Sequence, residues 1–112
     1  MTVDRKSIQA AIRVLLNHAP DGSKVILFGS YAREAAGPSS DIDFLVVEPA
    51  VKDRVREAAR LRVAVHEVLR TFMIPVDILV LSEAEFDQWR DAPNTICHRA
   101  AEEGQVHEQR VA

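Results

Sequence analysis

The sequence predicts an α/β fold of the α+β kind, a small mixed β-sheet packed with helices. Two observations predict it. Short apolar runs begin near Lys24, Ile42 and Val76, and the segments around them carry apolar residues at helical spacing. Strands separated by helices bury their apolar faces on one another, which leaves a sheet with helices packed against it.

Ile8, Ile12, Leu15 and Leu16 recur at helical spacing, which predicts a first helix over residues 4–17 that ends before Pro20-Asp21-Gly22. Lys24 to Phe28 (Lys-Val-Ile-Leu-Phe) reads as a short buried strand that stops at Gly29-Ser30, and a helix-like stretch begins at Tyr31-Ala32-Arg33-Glu34. The second strand is the run Asp41-Ile-Asp-Phe-Leu-Val-Val. Beyond it, Val55, Ala58, Leu61, Val65, Val68 and Phe72 line one face of a long helix, and Arg54, Arg56, Glu57, Arg60, Glu67 and Arg70 line the other. The third strand covers residues 76–81, with Pro75 tolerated at its start. Ser82 followed by Glu83 and Glu85 predicts an N-cap and a short helix through Trp89. A last helix over residues 95–103 stops at Gly104, and residues 106–108 form a short strand.

A chain of 112 residues predicts one domain, residues 1–112, because it can bury a single core but not two. A hydrophobic fraction of 47% with five prolines and four glycines fits a globular chain and excludes a disordered one. No segment reaches the apolar length of a membrane span, and Met1 to Arg5 is charged and lacks a signal-peptide core, so the expected location is the cytoplasm, where ATP is available. The formal charge of −3 argues against general nucleic-acid binding. The single cysteine, Cys97, excludes an internal disulfide and reads as a small buried side chain. His66, His98 and His107 show no metal-ligand spacing.

The chemistry is concentrated in three aspartates that stand in apolar runs, where an ionised carboxylate needs a compensating cation. Asp41 and Asp43 are two apart on one strand and so project from the same face, and Asp77 on a neighbouring strand can join them. Carboxylates about 5 Å apart repel by roughly 3 kcal/mol per pair at an effective dielectric near 20, and a hard divalent ion recovers that energy most directly. The strand before them ends in a glycine that lets the backbone approach a ligand, then a hydroxyl, then a helix-like start, which together suit phosphate oxygens. Phosphates beside a carboxylate cluster imply magnesium between the two and a nucleoside triphosphate as ligand.

The stretch Phe28-Gly29-Ser30-Tyr31-Ala32-Arg33, ten residues from Gly29-Ser30 to Asp41-Ile42-Asp43-Phe44-Leu45-Val46-Val47, and Asp77 on a later strand resemble the DNA polymerase β-like nucleotidyltransferase superfamily. The resemblance is closest to its short prokaryotic members, the minimal nucleotidyltransferases (MNT-type antitoxins), which are commonly encoded beside a small helical HEPN toxin. It runs from about Val25 to Leu81, with fainter similarity from Ala100 to Val106. Family members often carry glycine after the arginine where this chain has Glu34; because a helix tolerates Glu better than Gly, the difference is neutral for the fold, and whether the acidic group disturbs nucleotide entry is left open.

The resemblance implies a nucleotidyltransferase fold and a division of labour. Gly29 and Ser30 hold the β- and γ-phosphates of ATP, Asp41 and Asp43 bind two magnesium ions, and Asp77 binds the catalytic ion and helps deprotonate an acceptor hydroxyl. Arg33 either neutralises phosphate charge or pairs with Glu34 or Asp41. The product is an adenylylated acceptor, with pyrophosphate released. The chain has no residues left for an acceptor domain, so a partner or a second copy, in a hetero- or homo-oligomer, brings the acceptor. The leading expectation is AMP transfer to a tyrosine hydroxyl of a HEPN-type toxin. The alternatives are a non-catalytic antitoxin that masks its toxin sterically, and a nucleotidyltransferase of small molecules such as aminoglycosides.

Overall fold

The computed structural model describes residues 3–37 and 40–109, so Met1 and Thr2 of the stretch from Met1 to Arg5 lie outside the described residues. The chain runs α1 (Arg5–His18), β1 (Lys24–Phe28), β2 (Ile42–Glu48), α2 (Arg54–Leu69), β3 (Val76–Ser82), α3 (Glu83–Trp89), α4 (Ile96–Glu103) and β4 (Gln105–Glu108). The strands form one mixed sheet in the order β3-β2-β1-β4. β1 is antiparallel to both β2 and β4, whereas β2 and β3 are parallel. A parallel pair needs a long crossover, and α2 supplies it.

Strand alternation divides the core in two. Val25, Leu27, Ile42, Phe44, Val46, Ile78 and Val80 pack with α1 and α2 on one face, and Ile26, Phe28, Leu45, Val47 and Leu81 pack with Phe86 of α3 and with Cys97 and Ala100 of α4 on the other. β2 is covered on both faces, which is why its sequence reads as a continuous apolar run after Asp43. Cys97 is buried, as its size and type suggested.

Helix starts follow side-chain chemistry. Asp4, Asp53, Ser82 and Thr95 each accept a hydrogen bond from a first-turn backbone N–H, and Ser82 with Glu85 completes a capping box. α4 does stop at Gly104, but not through a left-handed cap. Gly104 has φ −78, and a Cβ there would overlap the Ala100 carbonyl and the Ile26 side chain, so close packing excludes a larger residue.

Three sequence expectations need correction. Residues 31–34 form turns and no helix: the N–H groups of Ala32 and Arg33 both donate to the Gly29 carbonyl, and Glu34 sits at φ +56, which ends any helical run. Glu34 is therefore at a left-handed position that favours glycine, so its substitution is not neutral for the backbone, and its side chain makes an exposed ion pair to Arg5 at 2.7 Å. The long helix ends at Leu69, before Phe72, and Met73 follows at φ +51. Val55, expected on the packed face, is 78% exposed. It lies in the first turn of α2, ahead of the buried Leu61, Val65 and Leu69 that carry the packing.

Candidate active site

Residues from three strands meet at one edge of the sheet. β1 ends at Phe28, whose register partner on β2 is Asp43, and the partner of Asp43 on β3 is Asp77. Register partners project from the same face, so Asp43 and Asp77 stand side by side, on the face that α3 and α4 cover. Asp41 precedes β2 by one residue and shares that face by alternation.

Gly29 follows Phe28 directly. Its φ of +78 is left-handed, and a Cβ there would stand 2.5 Å from Oδ2 of Asp43. Both facts require glycine, and they bring the backbone of the turn against the Asp43 carboxylate. Ser30 comes next, half-buried, with its carbonyl accepting from the Ala35 N–H.

The carboxylates lie at strand ends facing solvent and are not enclosed by their apolar neighbours. Asp41 and Asp77 are exposed and Asp43 is partly covered, while Ile42 and Phe44 point into the opposite face. Burial pushes the Asp43 carboxyl above its ordinary value, and the Asp77 and Asp41 charges push it further, while the Arg99 guanidinium pulls it back. This edge therefore gathers like charge around Asp43. Among the described residues, no three His, Cys, Asp or Glu side chains form a preformed metal cluster. The donor set nevertheless fits a hard divalent ion, with two carboxylates in register, a third in their field, and exposed side chains on Asp41 and Asp77 that are free to turn.

Arg33 pairs with neither Glu34 nor Asp41. Its Nη1 lies 3.0 Å from the Glu103 carboxylate of α4, which joins the Gly29-Ser30 turn to that helix. Sequence reasoning missed Arg99 and Glu103, because only the folded position of α4 brings them to this edge. A separate cavity of about 450 Å³, lined in part by Ile8, Ile12, Leu27, Tyr31 and His107, opens on the α1 face of the sheet and includes none of the three aspartates.

A four-stranded mixed sheet with helices on both faces, and a glycine turn beside carboxylates at one edge, has the architecture of a nucleotidyltransferase domain. The chain belongs to the nucleotidyltransferase domain family, whose model matches residues 8–107. No curated protein matches the sequence. Among solved structures, the fold is similar to a toxin–antitoxin crystallised with AMP-PNP, at 21% identity and a TM-score of 0.56, covering 93% of this chain and 72% of that one. It is also similar to a mutant form of the toxin–antitoxin MntA-HpeT, at 20% identity and a TM-score of 0.59, covering 95% of this chain and 72% of that one. At such identities the likeness establishes the fold. No helix among the described residues is long and apolar enough to cross a membrane.

Proposed function

We propose that this chain is a magnesium-dependent nucleotidyltransferase that moves AMP from ATP to a hydroxyl of a partner protein, as the antitoxin of a toxin–antitoxin pair with a HEPN-type toxin as acceptor. The observation that carries the reading is the Asp43 and Asp77 pair in register beside the Gly29 turn. The solved structures similar in fold support the biological setting, since they are toxin–antitoxin proteins and one was crystallised with a non-hydrolysable ATP analogue.

In this reading the Gly29 backbone and the Ser30 hydroxyl hold the terminal phosphates, and Asp41, Asp43 and Asp77 would hold two magnesium ions. Magnesium, when bound, neutralises phosphate charge and favours departure of pyrophosphate. Asp77 accepts the proton of the acceptor hydroxyl. The hydroxyl oxygen bonds to the α-phosphorus, the bond to the bridging oxygen breaks, and pyrophosphate leaves. Arg33 offsets phosphate charge from the rim of the turn. The acceptor comes on a partner chain, and the reaction belongs in the cytoplasm with its ATP.

Intact-mass spectrometry of a HEPN-type partner encoded beside this chain tests the reading. Incubation with the chain, ATP and magnesium should add one or more AMP masses, and the paired substitutions Asp41→Asn and Asp43→Asn should prevent it. An unshifted partner that the double variant still neutralises would replace the enzyme with a masking antitoxin.

A further inference from the structure

α4 places a cation at the aspartate edge that the reading above does not use. The Arg99 guanidinium carbon lies 5.9 Å from the centroid of the Phe28 ring. Phe28 is the register partner of Asp43 and the residue before Gly29, so Arg99 sits over the junction between strand, turn and carboxylates. The contact of Arg99 with the Glu103 carboxylate is long, 3.8 Å, and that carboxylate is already engaged by Arg33 at 3.0 Å. One carboxylate thus serves two guanidinium groups, and Arg99 is the one it holds at the longer distance. Among the described residues the Arg99 side chain, 56% exposed, donates no hydrogen bond.

We propose that Arg99 is a phosphate-binding residue of this site, gripping the triphosphate of the nucleoside triphosphate from the α4 side. This rests on the nucleotidyltransferase reading. The planar guanidinium fork suits two oxygens of one phosphate better than a lysine ammonium does. An anionic ligand also has to approach three carboxylates, and the Arg99 charge lowers that barrier.

Calorimetric titration of the full chain, with magnesium, separates this role from a structural one. Arg99→Ala should weaken ATP by at least about tenfold, the scale of one charge-assisted hydrogen bond, and leave adenosine unchanged. Arg99→Lys should restore only part of the ATP affinity. Arg99→Gln, which keeps a stem on Phe28, should match Arg99→Ala and covers the case in which alanine loosens α4. Arg5→Ala, a surface cation paired to Glu34, should bind ATP as the unaltered chain does. Equal ATP affinity in Arg99→Gln and the unaltered chain would remove Arg99 from the site and leave the proposed function standing. An equal loss for ATP and adenosine would make Arg99 a structural residue and overturn the proposal. An unaltered chain that fails to bind ATP would refute the proposed function and this inference together.

Discussion

Asp43 and Asp77 are register partners across the parallel β2–β3 pair, so two carboxylates occupy the same face of the sheet at the same level. Neighbouring strands lie about 4.8 Å apart, a spacing at which two carboxylates repel unless a proton or a cation sits between them. The raised Asp43 pKa reports that repulsion along with burial. The fold holds the pair in place through the buried residues between and beyond them, Ile42, Phe44 and Ile78.

Gly29 is held to glycine by its φ of +78 and by the 2.5 Å that would separate a Cβ from the Asp43 carboxylate. Gly29→Val should abolish ATP binding while far-UV circular dichroism stays native-like, with a stability cost of about 1–3 kcal/mol from backbone strain. Calorimetry on the folded variant checks this. Normal affinity would show that the turn has no part in binding.

Glu34 occupies a left-handed position, and its partner Arg5 is as exposed as it is. Removing the side chain relieves strain and loses an ion pair of little worth. Glu34→Gly should therefore be neutral or raise stability by up to about 1 kcal/mol in urea melts. A clear destabilisation would mean that the ion pair fixes the turn.

Glu48 is 2% exposed, at the far end of β2 from the aspartates. Burial, with the Glu57 carboxylate beside it, pushes its pKa up to about 8, while Arg60 and Glu48 hold Glu57 down near 2. Glu48 thus binds a proton in the folded state that the unfolded chain releases near 4.5. Its contribution to stability is present below 4.5 and is lost as pH rises towards 8, at no more than about 1.4 kcal/mol per pH unit. Thermal melts between pH 5 and 8.5 should show a falling midpoint, and Glu48→Gln, which imitates the protonated form, should flatten that fall. An unaltered slope in the variant would assign the dependence to other groups.

Much of this architecture was legible because local chemistry and tertiary structure agree. Lys24–Phe28 is a strand as read, Ser82 caps the helix that follows it, and β2 shows the unbroken apolar run of a strand buried on both faces. The motif residues Gly29, Asp43 and Asp77 do meet at one edge, because period-two alternation and strand register are enough to bring them there. The turn at residues 31–34 was misread because helix propensity carries no information about the left-handed backbone that Glu34 adopts. Arg99 and Glu103 were invisible because their place depends on how α4 docks against β1, a contact between residues about 70 apart in sequence.

The central claim is that the Asp43 edge binds a nucleotide through a divalent ion, and calorimetric titration of ATP into the unaltered chain and Asp43→Asn, each with and without magnesium, tests it most directly. The unaltered chain should bind ATP only with magnesium, and Asp43→Asn should weaken that binding by at least about tenfold. The variant should melt no lower than the unaltered chain, since a neutral amide lessens repulsion with Asp77 and Asp41. ATP affinity that is independent of magnesium and unchanged in Asp43→Asn would contradict the account.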